Sequence, residues 1–372
     1  MPTLSTIVDG VINLNLLLVA AFVLWMLARG MLQLAGHQRA FVLQLSLLNW
    51  LFGAVLIGPV LVGLYEIGVS QGLIAQDAAP NLSDFFVAQY LVGRIDMRPA
   101  DFEWILSQRD TMLRALLQPT SSVAYGVLGL LALGHLLLVG RFALNAWRLR
   151  QVLRSSYAWR RFGRLHLCLT DATHVPFSTR GLRRHYIIIP TGLLADKAGL
   201  KMAIAHEIQH MRQGDIGWEI GLETLRLMFF WNPVFHVWKR AVDRIRELAC
   251  DQQLLARGRF DPVAYSDCLL RICRNGLRQG VTLRHSTVSM VETSPSMLGA
   301  DRVAFLRYRI TALLATRPPA PGRLMGLILL VPLVAVLALG ALTMQQRGDW
   351  SHDRLMLSTI VNLERLRANP GQ

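Results

Sequence analysis

Residues 200–214 read LKMAIAHEIQHMRQG, and this stretch decides what kind of fold must surround it. Leu200 to Arg212 has the residue types of a helix and Gly214 is a stop signal, so the pentapeptide HEIQH at 206–210 is helical. Residues four apart share a helix face, so His206 and His210 can turn two imidazole nitrogens toward one metal ion. Glu207 occupies the position from which a carboxylate acts as general base toward water at such a metal. A catalytic site of this type needs a third protein ligand and an open position. The segment RELACD at 246–251 supplies Glu247 and, four residues further along the same face, Asp251. Glu247 is therefore the expected third ligand of one zinc ion, with Asp251 and Asp215 as the acids expected to hold a histidine ring by its other nitrogen. His236 competes for the third position, but Phe235 and Trp238 beside it favour packing. His166, His174, His185 and His285 are isolated, and Tyr265 or an arginine near it is a candidate partner for a developing oxyanion.

Ahead of the helix, LHLCL at 165–169 alternates as a strand does, and HYIIIP at 185–190 is a β-branched run closed by Pro190. A small sheet is expected there. Tyr186, Ile187, Ile188 and Ile189 are read as a sheet edge able to pair with an extended peptide, the alternative being a buried strand. Gly192 to Ala198 reads as a turn into the active helix. Further helices are expected over Ile216 to Phe230, from Asn232-Pro233 to Ala256, over Tyr265 to Leu277 and over Phe305 to Ala315. Gly280 to Ala300, rich in Ser, Thr and Gly, reads as a loop.

The 372-residue chain is 53% hydrophobic and 17% charged, with a mean hydropathy of +0.37, too apolar for an ordinary soluble protein. Val11 to Ala28, Leu43 to Leu64, Val123 to Val139 and Leu324 to Met344 each approach the ~20 apolar residues that cross a bilayer core. Pro59 and Pro332 do not exclude two of these spans, because neighbouring helices in a membrane re-satisfy the carbonyls a proline frees. Ile216 to Trp238 is almost long enough, but Glu219, Glu223 and Arg226 fall on it and would be costly in lipid.

Basic residues mark the cytoplasmic side. Residues 141–323 hold 29 of the 39 Lys and Arg against 13 acids, whereas 65–122 has four against seven. The expected organisation is a pair of spans with a short cytoplasmic loop in 1–67, an extracytoplasmic loop at 68–122, and a third span at 123–140. A cytoplasmic peptidase domain at 141–323, a fourth span at 324–344 and an extracytoplasmic tail at 345–372 complete it. In fold class this is an α-helical membrane protein, four transmembrane helices carrying a cytoplasmic α+β zincin-like metallopeptidase domain. It suits a bacterial inner membrane with both termini outside. Cys168, Cys250, Cys268 and Cys273 all fall in the inside segment, where disulfides are rare, and none has CxxC spacing. The arginines between 141 and 164 follow a span directly, which suits contact with anionic lipid, and direct nucleic-acid binding is not expected.

VPFSTRGLRRHYIIIP (175–190), AIAHEIQHMRQGD (203–215), WNPVFHVW (231–238) and RELACD (246–251), in that order after three spans, resemble the BlaR/MecR family of membrane zinc peptidases. The resemblance covers Leu165 to Ala256. It implies a gluzincin-type site with His206, His210 and Glu247 as ligands, Glu207 as base and Asp251 as the second acid. It also implies signalling, in which sensing outside leads to proteolysis of a transcriptional repressor inside, often after self-cleavage. Only Gln345 to Gln372 follow the last span, so the family's penicillin-binding sensor domain and β-lactam acylation are not expected.

Three functions remain open at this level. The first is a regulatory peptidase cutting a cytoplasmic protein, a repressor among the candidates, and itself within Gly280 to Ala300. The second is a quality-control peptidase of the similar HtpX type, and the third a membrane receptor or scaffold with a structural metal site. The expected partners are a protein substrate and the lipid bilayer, with assembly into a homo-oligomer left open.

Overall fold

The computed structural model describes residues 4–73, 82–99, 101–105, 108, 111, 122–181, 183–278, 288–289, 299–315, 323–343 and 359–360. Most of the Gly280–Ala300 loop, His285, nearly all of the tail at 345–372 and much of the loop at 68–122 lie outside these described residues.

In chain order come α1 (Leu4–Leu34), α2 (Phe41–Ser70), α3 (Leu82–Leu91), α4 (Ser122–Ser155), β1 (Tyr157–Phe162), β2 (Leu165–Thr170), β3 (Phe177–Arg180) and β4 (His185–Pro190). Then follow α5 (Lys197–Gln213), α6 (Asp215–Phe229), α7 (Pro233–Ala256), α8 (Pro262–Arg278), β5 (Val288–Ser289), α9 (Gly299–Leu314) and α10 (Arg323–Thr343). Among the described residues, four helices are long and apolar enough to cross a membrane, over Val8–Leu34, Phe41–Ser70, Ala124–Ser155 and Leu324–Thr343. The chain is a mostly helical membrane protein with a small mixed sheet. α6 is not among the candidate spans, in keeping with the charges on it.

The described chain divides into two compact units. The first comprises Met1–Leu27, Asn49–Leu131 and Leu327–Gln372. Here α1, α2 and α10 approach closely at Gly58, where an added Cβ would lie 3.1 Å from a methyl of Leu17 and 3.5 Å from Ala341. Small residues permit such approach between membrane helices, where packing rather than water expulsion drives association. Pro59 and Pro332 sit inside unbroken helices, as expected for spans.

The second unit comprises Ala28–Leu48 and Ala132–Gly326. Its sheet has the order β1-β2-β4-β3-β5, with β2 and β4 parallel and the other neighbours antiparallel. Both faces of β4 are buried. Ile187 and Ile189 pack with Leu167 against Leu200, Ile204, Ile208 and Met211 of α5, while Ile188 joins Cys168 and Phe177 against Leu149, Val152 and Leu153 of α4.

The sheet corrects the edge-strand expectation for Tyr186 to Ile189. β4 is hydrogen-bonded to β2 on one side and β3 on the other, so its backbone is not open to an added peptide. The uninterrupted apolar run reflects burial on two faces. The helix that carries the expected third span runs on past Val139 to Ser155, because Leu149, Val152 and Leu153 continue an apolar stripe at helical spacing that packs on the sheet. β1 and β3 are strands that no sequence pattern announces, and α9 begins at Gly299, ahead of the expected Phe305, with Asp301 in a first turn that favours negative charge.

Candidate metal centre

The turn-to-helix passage is built locally. A short 3-10 turn, Thr191–Ala195, leads from β4 to Asp196, whose side chain accepts the Gly199 amide and caps α5. α5 ends at Gly214 in the left-handed region, φ 77°, with its amide turned back to the last carbonyls. Between these caps Leu200, Ile204, Ile208 and Met211 face the sheet. Ala203 and its neighbours on the other side face α7 and α8, packing with Leu254, Leu255, Tyr265, Cys268 and Leu269. His206, Glu207 and His210 are fully buried. α7 starts at Pro233 with Asn232 capping the Val234 amide, and its register turns Glu247 and Asp251 inward.

The two imidazoles meet Nε2 to Nε2 at 2.9 Å. Glu247 lies across them, Oε2 3.6 Å from His206 Nε2 and Oε1 3.5 Å from His210 Nε2. The Nδ1 atoms are held from behind. His210 Nδ1 donates to Asp215 Oδ2 at 2.7 Å. His206 Nδ1 lies 2.8 Å from the Tyr265 hydroxyl, which donates to Asp251 Oδ1, also at 2.8 Å. A hydroxyl that donates to Asp251 accepts from His206, so each ring carries its proton on Nδ1 and presents an Nε2 lone pair forward.

Two facing lone pairs at that distance require a cation or a proton between them. Burial, and then the neighbouring His210, hold the His206 imidazolium below its ordinary range. Burial also opposes charge on His210, but the Asp215 hydrogen bond and Glu247 outweigh it and raise the group. Glu247 is pulled down to about 2 against the cost of its burial, first by Arg309 and then by the two histidines. Zinc binds such N and O donors at about 2.0–2.2 Å, which places tetrahedral donor atoms about 3.3–3.6 Å apart. The two separations to Glu247 match that spacing and the Nε2–Nε2 separation is shorter by a few tenths of an ångström, so the residues present fit a zinc ion.

His206, His210 and Cys250 also form a group with ligand atoms within 4.8 Å of one another. Cys250 Sγ lies 3.5 Å from His206 Nδ1, the nitrogen turned toward Tyr265. Burial, and next Asp251, push its thiol well above the ordinary range. Glu247, held down to about 2 and facing both Nε2 atoms at 3.5 and 3.6 Å, is the other candidate for a third donor.

Not every expected residue takes its expected part. Asp251 reaches His206 through the Tyr265 hydroxyl, its own oxygen being 3.6 Å from Nδ1. Tyr265 is wholly buried with that hydroxyl committed behind His206, so it is an orienting group rather than an oxyanion partner. His236 is directed elsewhere and donates from Nε2 to the Phe230 carbonyl at 2.9 Å. His166 packs beside Tyr186 in the sheet. All four cysteines are free thiols.

One residue of the site escapes sequence reasoning. Arg309 of α9 is buried between the two carboxylates of α7. The available signal is an arginine on the stripe Phe305, Arg309, Leu313, whose members recur every four residues and are all buried.

A family model described as BlaR1 peptidase M56 matches residues 109–294, half of the chain. The match takes in every metal-centre residue on α5, α7 and α8 and stops short of α9. No curated protein matches the chain.

Proposed function

The chain belongs to the BlaR1 peptidase M56 family, and from that premise we propose that it is a zinc endopeptidase of the bacterial inner membrane, regulatory in purpose, acting on cytoplasmic protein. The family supports a metallopeptidase-type membrane function. The observation that carries the finer reading is the convergence of His206 Nε2, His210 Nε2 and the Glu247 carboxylate within 3.6 Å, with both rings anchored through Nδ1.

In this reading His206, His210 and Glu247 hold one zinc ion, which when bound supplies Lewis acidity toward water and the scissile carbonyl. Glu207, on the same buried side of α5, takes a proton from the attacking water and passes it to the departing amine. Asp215 keeps His210 in its tautomer, and Asp251 through Tyr265 does the same for His206. The concentration of basic residues in 141–323 supports a cytoplasmic zincin-like domain. A transcriptional repressor and the chain's own Gly280–Ala300 segment are the substrates proposed, on the family resemblance.

Zinc content of the purified full chain tests the site. Wild type should hold one zinc per chain, and His206→Ala and Glu247→Ala should lose it. Zinc retained in Glu247→Ala overturns the third ligand, and retained in His206→Ala it overturns the centre. Self-processing is tested by Glu207→Gln, which should abolish a shortened fragment seen in wild type; persistence of that fragment refutes it.

A further inference from the structure

Arg309 enters the centre from α9, the helix that precedes the last candidate span. Its Nε and Nη2 fork onto Asp251 at 2.8 and 2.9 Å, and its Nη1 lies 2.9 Å from Glu247 Oε2. The side chain is 2% exposed. Burying a guanidinium is costly unless its charge and donors are matched, and here they are matched by two carboxylates one helical turn apart that would otherwise repel each other. A planar fork also fixes orientation, which a point charge does not.

The contacts reach two of the three donors. Glu247 Oε2 is held by Arg309 on one side and faces His206 Nε2 on the other. Asp251, gripped by the fork, receives the Tyr265 hydroxyl that orients His206. We infer that Arg309 is a positioning residue of the metal centre, setting the plane of the Glu247 carboxylate directly and the His206 ring through Asp251 and Tyr265. The inference rests on the proposed metal site and adds to it a residue beyond the family match.

The same contacts tie the centre to the turn between α1 and α2. Tyr308, next to Arg309, meets Phe41 edge-on at 6.4 Å, and Gln252, next to Asp251, donates to the Arg39 carbonyl at 3.3 Å. A cavity of about 40 Å³ lined by Arg39, Phe41, Asp251, Gln252 and Arg309 lies between them. α9 and the Asp251 turn of α7 thus both pack beside this turn.

The test is zinc affinity of the purified full chain, measured by competition with a chromogenic chelator, alongside its melting temperature. Arg309→Gln and Arg309→Ala should weaken zinc binding by about 10- to 100-fold, the usual effect of losing a group that orients ligands. Guanidinium ion, which can enter the enlarged cavity, should restore affinity to Arg309→Ala and not to His206→Ala. Arg309→Lys keeps the buried charge and loses the fork, so weakened binding at an unchanged melting temperature separates positioning from folding. Wild-type affinity in Arg309→Lys, or in folded Arg309→Gln, overturns the assignment alone. Absence of His206-dependent zinc binding in wild type overturns the metal reading, and this assignment with it.

Discussion

His210 donates from Nδ1 to Asp215 Oδ2 at 2.7 Å across the left-handed turn at Gly214. The turn makes the contact possible, because it reverses the chain at once and starts α6 with the acid beside the last turn of α5. Asp215→Asn keeps the shape but removes the charge that makes His210 basic. Zinc affinity should fall about tenfold or more with little change in melting temperature, as checked by chelator competition. Unchanged affinity would show that Asp215 has no part in holding the ring.

Gly214 itself is the second prediction. At φ 77° a side chain is strained, and Gly214→Ala should cost about 1 kcal/mol. The loss should appear in both thermal stability and zinc affinity, since Asp215 moves with the turn. A stability loss with undisturbed zinc binding would separate the turn from the centre.

The part of this centre that is legible in the sequence is the part carried by short spacings. His206 with His210, and Glu247 with Asp251, are pairs at helical repeat, and a helix alone places each pair on one face. Asp215 is legible by nearness alone, five residues beyond His210 and just past the turn at Gly214. Arg309 has no such local partner, since 58 residues separate it from Asp251 and only the packing of α9 on α7 joins them. Tyr265 stands out in the sequence, but its orienting part depends on the face α8 turns toward α5. The interior place of β4 follows from β3 pairing on its far side, a four-residue strand reading FSTR with too few apolar residues to announce itself. β1, YAWRRF, is exposed along its whole length and so lacks the alternation that burial on one face imposes.

Tyr265→Phe removes one oxygen and leaves His206 Nδ1 and Asp251 Oδ1, both buried, without the hydroxyl that joins them. Buried polar groups that lose a partner cost about 1–3 kcal/mol, so melting temperature should drop even though the change is apolar and fills the same space. Zinc affinity should fall with it. An unaltered metal affinity would mean that Asp251 reaches His206 unaided.

In the first unit, α1, α2 and α10 approach closely at Gly58, with Leu17 and Ala341 at 3.1 and 3.5 Å from an added Cβ. Gly58→Ala should be tolerated, because the Leu17 methyl can shift. Gly58→Leu overfills the contact and should cost about 1–3 kcal/mol. Thermal unfolding in detergent checks this, and equal stability of the two variants would show that the helices do not depend on that approach.

Acid stability isolates the charges between α6 and α7. Lys239 Nζ lies 2.9 Å from Glu219 Oε1 and 3.2 Å from both Glu223 and Asp243, and Arg246 Nη1 lies 2.7 Å from Glu219 Oε2. Burial raises Glu219, but Lys239 and then Arg246 overcome it and hold the carboxyl down to about 2, from an ordinary 4.5. A depressed carboxylate stabilises the fold fully above its unfolded value, and that contribution drains away as pH falls from about 4.5 toward 2. Asp243 runs the other way, since burial leaves it raised, and its share of stability grows on acidification. The two therefore oppose each other in wild type, and the comparison must be with Glu219→Gln. Each tenfold change in a carboxyl's proton affinity on folding is worth about 1.4 kcal/mol. In metal-free protein, wild type should therefore exceed Glu219→Gln by a few kcal/mol above about pH 5, and the two curves should converge as pH approaches about 2. A difference that stays constant across that range would show that Glu219 contributes through packing and hydrogen bonding rather than through its charge.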